Sequence, residues 1–194
     1  HKMNEEDEMS EASENKYGTT PYSATQRSNL GEEPRSSKLT KSLIWPLLAL
    51  NVIITVLGLI HLQTVDTTEY YNEVLPPDQA QGLTPEMVDT MHTWTIISFI
   101  GFGALSVILF LIVGLGLRAT KTWARFMGIV FAVLFILSEG LSLLFTVNYG
   151  ELQTLELFNA VLSWVAVLLT IWWIVQAMNK QTAQWFGIHR RLQH

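Results

Sequence analysis

Glu139 is the residue of this chain best placed to do chemistry. It stands in the run Leu137-Ser138-Glu139-Gly140, inside an apolar stretch spanning about 126–147. An ionised carboxylate at that depth in a bilayer costs about 3 kcal/mol on insertion scales. At about 100° per residue, side chains three, four or seven positions apart share one face of a helix. On that spacing Gly128, Ala132, Glu139, Ser142 and Thr146 form a small, polar stripe, and bulky Phe, Leu, Val and Ile fill the remainder. Two other apolar runs carry matching stripes: Asn51, Thr55 and Gly58 in the first, and Asn159, Ser163, Ala166 and Thr170 in the fourth. Small and polar residues belong where membrane helices touch one another, and bulky apolar ones where they touch lipid.

Counting depth along the runs puts Glu139 level with Thr55, Gly101, Phe102 and Ser163, with Gly101 and Gly103 allowing close helix approach. The expectation is a polar seam through a helix bundle. Glu139 lies at its centre, Ser163 and Thr55 are its hydrogen-bond partners, and Asn51, Ser142 and Asn159 lie along it. Two chemistries suit such a carboxyl. It can couple proton movement to transport, or it can stay neutral and tie helices together. One acid with no second acid and no buried Lys or Arg makes a thin relay, so the structural role carries more weight.

Histidines give a second candidate. His61 and His92 lie at the ends of the first and second apolar runs, close in sequence to Asp66 and Asp89. Convergence of these four would offer imidazole and carboxylate ligands to Zn²⁺ or Cu²⁺. Their separation matches no ligand spacing, and interfacial histidines are common. No histidine falls in mid-span, so bis-histidine haem ligation is excluded, and the sequence implies no cofactor. A third candidate is partner recognition by Tyr70, Tyr71, Val74 and Leu75, which are amphipathic or apolar in an otherwise acidic loop. Such side chains anchor interfaces, or they lie down on the bundle and the headgroups.

The elements that must hold these residues follow from charge and length. Four apolar runs, at about 42–62, 94–117, 126–147 and 157–178, each approach the ~20 residues of a bilayer crossing. All twelve Lys and Arg fall before the first run, between the second and third, or after the fourth. Cationic loops stay in the cytoplasm, so both termini should face inward. The predicted fold is an all-α membrane protein of four antiparallel transmembrane helices, about 42–62, 85–117, 126–147 and 157–178. A second helix starting at 85 follows from Thr84-Pro85-Glu86, with a capping hydroxyl, Pro in the first turn and an acid behind it. Loop 63–84 is then extracytoplasmic.

Residues 1–40 are rich in Glu, Ser, Asn and Thr, too poor in apolar surface to offset ordering entropy, and are expected to be a disordered cytoplasmic tail. Thr19, Thr20 and Ser23 are its candidate phosphorylation sites. Residues 179–194 mix Trp185, Phe186, Ile188 and Leu192 with Arg190 and Arg191, as an amphipathic interfacial tail does. The first apolar run has no small-residue cleavage site and is expected to be retained.

Composition narrows function further. The chain has 194 residues, 49% of them hydrophobic and 15% charged, with a net charge of −5 and no cysteine. Disulfides, thiol nucleophiles and Cys-ligated metals are therefore excluded. No catalytic triad, zinc helix or phosphate loop is present, and cations grouped by topology give nucleic-acid binding no support. The composition resembles that of small four-span proteins of bacterial plasma membranes. The expected function is a non-catalytic accessory or scaffold subunit packed against a larger respiratory, transport or envelope assembly. Its expected partners are the lipid bilayer and other membrane subunits, or further copies of itself. The alternative is a small proton-coupled transporter or channel centred on Glu139.

Overall fold

The computed structural model describes residues 31–145, 147, 149–150 and 152–191, with backbone only at Val74, Arg190 and Arg191. The expected disorder and phosphorylation sites within residues 1–30 lie outside the described residues, as does the Val74 side chain. From Pro34 onward the chain is one compact unit. It is all-helical, 86% helix with no strand among the described residues.

Among the described residues eight helices follow in order: α1 Arg35–Ser42, α2 Ile44–Thr64, α3 Thr67–Val74, α4 Pro77–Ala80, α5 Pro85–Arg118, α6 Thr122–Phe145, α7 Thr154–Met178 and α8 Lys180–Arg191. Four stretches are long and apolar enough to span a membrane: α1 with α2, then α5, α6 and α7. These bounds refine the expected ones. The first described helix begins at Arg35, within the stretch read as tail, and Ser36, Ser37 and Thr40 are buried on it. Their hydroxyls have partners: Thr40 donates to the Ser36 carbonyl, and the Thr182 hydroxyl lies 2.9 Å from Ser36 Oγ. The interruption at Leu43 has a covalent cause. Pro46 has no N–H to give the carbonyl of Ser42, four residues earlier.

α5 has 34 residues, about 50 Å at ~1.5 Å per residue and well beyond one bilayer crossing. Its first turn is capped as expected, with the Thr84 hydroxyl accepting from Met87 N–H. The loop predicted between 63 and 84 is itself helical. α3 starts at Asp66, whose carboxylate caps Thr68 and Glu69 N–H groups, and it packs along α5.

Four helices close a ring: α2 packs on α5, α5 on α6, α6 on α7 and α7 on α2. The diagonal pairs, α2 with α6 and α5 with α7, make no close backbone approach. One end of the ring is tightly filled. Trp173, 1% exposed, packs with Ile44, Leu47, Val113, Leu117, Ala132 and Phe186. Phe186 brings α8 into this core, so the predicted interfacial tail is in part a structural plug. Close approach here rests on glycine. A Cβ on Gly128 would lie 2.6 Å from the Trp173 ring, and one on Gly116 would lie 2.5 Å from the Ala124 Cβ.

The α5–α6 connection is correspondingly tight. Thr120 takes a left-handed conformation, φ 55°, one that costs a non-glycine residue about 1–2 kcal/mol. Its hydroxyl accepts from Lys41 at 3.5 Å. Because the Ala124 Cβ is fixed to a helix backbone, Gly116→Ala must push α5 and α6 apart. We expect this change to destabilise the detergent-solubilised protein by about 1–3 kcal/mol. Gly140→Ala, which meets open space, should change the unfolding midpoint little, and equal effects from the two would refute the packing argument.

Candidate functional site

Where diagonal helices do not touch, space remains. A cavity of about 610 Å³ lies among α2, α5, α6 and α7. A second, open recess of about 540 Å³ lies along α2 and α5. Both are lined by Asn51, Phe102 and Ser106. Asn51 occurs on α2 because the stripe Asn51, Thr55, Gly58 faces α5. Gly103 receives the Thr55 methyl, since a Cβ there would lie 2.7 Å away, and Gly58 receives the Phe99 ring. Gly101, by contrast, faces open space.

The central polar contact is between helices: Ser106 donates to Asn51 Oδ1 at 3.1 Å. Other hydroxyls are satisfied within their own helices. Thr55 donates to the Asn51 carbonyl at 2.8 Å, Thr170 to Ala166 at 2.6 Å and Ser138 to Phe135 at 3.2 Å. Such back-bonding is the usual resting state of a hydroxyl with no water nearby.

The expected seam around Glu139 is distributed differently. Glu139 is half-buried, six residues before the end of α6 and so about 9 Å inside it. Among the described residues it has no hydrogen-bond or ion-pair partner, and it lines neither cavity. Thr55 belongs to α2, which makes no close approach to α6. Ser163 is buried on the face of α7 that carries Ala160 and Val167 against Leu143 of α6. Ser142 is half-buried, and Asn159 Oδ1 is buried without a hydrogen-bond partner. Ser106 and Trp173 were not anticipated as site residues. The signal for Ser106 was its place one turn after Gly103, on the face where α5 must approach α2.

At the opposite end of the ring the four metal candidates are not brought together. His61 Nε2 pairs with Glu156 Oε1 at 3.2 Å, linking the end of α2 to the start of α7. Asp66 is engaged in capping α3, Asp89 is exposed, and His92 Nδ1 is buried without a partner. Among the described residues no group of three or more His, Asp or Glu could hold a metal ion.

The loop residues divide by face. Tyr71 is 5% exposed and its phenol lies 2.8 Å from Thr95 Oγ1. Thr95 already donates to the Met91 carbonyl, so the phenol is the donor. Tyr70 meets Tyr71 edge to face; Leu75 is half-buried. Burial, and then the neighbouring Tyr71, push the Tyr70 hydroxyl above its ordinary range.

No family model, curated protein or solved structure matches this chain.

The Tyr71 contact is the latch of α3 on α5. Tyr71→Phe removes one hydrogen bond, worth about 0.5–1.5 kcal/mol. It should raise amide exchange across residues 67–74 several-fold and leave α6 unchanged. A raised Tyr70 pKa means that the folded state favours the neutral phenol. That stability is complete below the unfolded value of about 10 and is lost as pH rises through the folded one. The protection of α3 relative to the intrinsic, base-catalysed exchange rate at each pH should fall above about pH 10, and protection that stays constant there would contradict the burial.

Proposed function

We propose that this chain is a multi-pass protein of a bacterial plasma membrane, with four antiparallel spans and with its N-terminal segment and C-terminal helix in the cytoplasm. Positive charge supports the orientation, since Arg118, Lys121 and Arg125 flank the α5–α6 turn and Lys180, Arg190 and Arg191 sit on α8. Residues 63–84 carry no cation and are assigned to the opposite side.

Its proposed role is that of a non-catalytic accessory subunit that docks within the bilayer against a larger assembly. One observation carries this reading. Glu139 is a half-buried carboxyl within a span, and no described residue gives it a hydrogen-bond donor. In hydrocarbon an ionisable side chain is costly and pairs with another group. A donor from a neighbouring subunit, set beside α6, meets that requirement. The alternative, proton-coupled transport through Glu139, has less support because neither cavity reaches that residue.

Purification from native membranes in mild detergent should recover a stoichiometric partner. Glu139→Leu should lower that recovery about ten- to hundredfold, the equivalent of one hydrogen bond to a charged group at about 1.5–3 kcal/mol. Glu139→Gln, which still accepts a hydrogen bond, should retain most of the partner. A solitary chain, or recovery indifferent to Glu139→Leu, would overturn the reading.

A further inference from the structure

The cavity enclosed by the ring has a wall and an opening. Leu47, Ala166, Thr170 and Trp173 are buried on the α2 and α7 side. Phe102 and Leu105 of α5, with Leu134 and Ser138 of α6, line it while being exposed themselves, Phe102 at 72%. The cavity therefore opens sideways between α5 and α6, which in a bilayer faces the acyl chains. Its volume of about 610 Å³ falls within the roughly 300–1,000 Å³ of small-molecule sites.

The chemistry of the lining is nearly all apolar, and no charged side chain contributes. Each side-chain donor that lines it can be traced. Ser106 donates to Asn51 Oδ1, Ser138 to the Phe135 carbonyl, Thr170 to the Ala166 carbonyl, and Trp173 Nε1 to the Thr40 carbonyl at 2.9 Å. The Asn51 amide nitrogen remains, with no described hydrogen-bond partner. An amide without an acceptor is unfavourable in an apolar setting, and the cavity that Asn51 lines has room for one.

We propose that this cavity binds an uncharged, lipid-derived molecule: one long hydrocarbon chain carrying a single ester carbonyl. The ligand slides in between α5 and α6 and accepts a hydrogen bond from the Asn51 amide. The Ser106 hydroxyl occupies Asn51 Oδ1, which leaves the amide nitrogen as the group that meets the ligand. The inference rests on the membrane reading of the four spans and not on the docking role of Glu139, so either can fail alone.

The test uses the intact chain in dodecyl maltoside with radiolabelled methyl oleate as the probe. Binding should saturate near one molecule per chain. Unlabelled methyl oleate should compete about tenfold better than 1-octadecene, the same chain without its ester, as one recovered hydrogen bond requires. Asn51→Leu should remove that preference. Ala132→Phe, which fills the cavity from α6 and leaves Asn51 in place, should weaken binding at least about tenfold by excluding the chain. Ser98→Ala, in the neighbouring cavity, should change nothing. Binding that never saturates above micelle partition would overturn the proposal. Equal competition by 1-octadecene in the unmodified protein would do so as well, and that arm needs no variant to fold.

Discussion

The fold depends on one indole. Trp173 of α7 fills the space that Gly128 leaves open on α6, packs on Ile44, Leu47 and Val113, and donates its N–H to the Thr40 carbonyl. One side chain thus ties α7 to α6, to α5 and to the α1–α2 junction. Nearly complete burial of so large a ring is worth several kcal/mol, and its N–H has the partner that a buried indole requires. Around it α8 closes the same end through Phe186 and the Thr182 hydroxyl. The cavity begins directly on this filled end, with Ile44, Leu47, Val113 and Trp173 among the residues that line it.

Polar groups obey a matching constraint. In hydrocarbon every donor must find an acceptor within the protein. Thr55, Ser138 and Thr170 meet this by bonding back along their own helices, which makes them compatible with the interior without linking spans. Asn51 with Ser106 is different, because it joins α2 to α5 and still leaves an amide nitrogen over. Glu139 presents the complementary case, an acceptor without a donor on α6. These two residues carry unspent hydrogen-bonding capacity inside membrane-length helices, and both functional proposals grow from that.

The four helices long and apolar enough to cross a membrane were legible because length and apolarity are one-dimensional properties of the sequence. The helix start at Pro85 was legible too, since Thr84-Pro85-Glu86 encodes its own cap. α1 was not. Ser36, Ser37 and Thr40 read as tail residues, and only α7 and α8 packing beside them makes their burial sensible. The stripes on α2, α6 and α7 followed from helical spacing, but spacing gives faces and not partners. Thr55 was matched to Glu139 by depth, although the ring sets α2 and α6 on opposite sides. His61 met Glu156 and not Asp66 for the same reason, as the end of α2 abuts the start of α7. Which helices are neighbours is a property of the closed ring, and no single span contains it.

If the four long apolar helices cross a bilayer, the α3 region lies on one side of it and α8 on the other. The chain contains no cysteine, so single-cysteine variants report without background. Gln79→Cys and Gln181→Cys both lie at exposed positions. In intact cells a membrane-impermeant maleimide should label Gln79→Cys fully and should reach Gln181→Cys only after the membrane is opened. Labelling of both from outside, or of Gln181→Cys alone, would contradict the account.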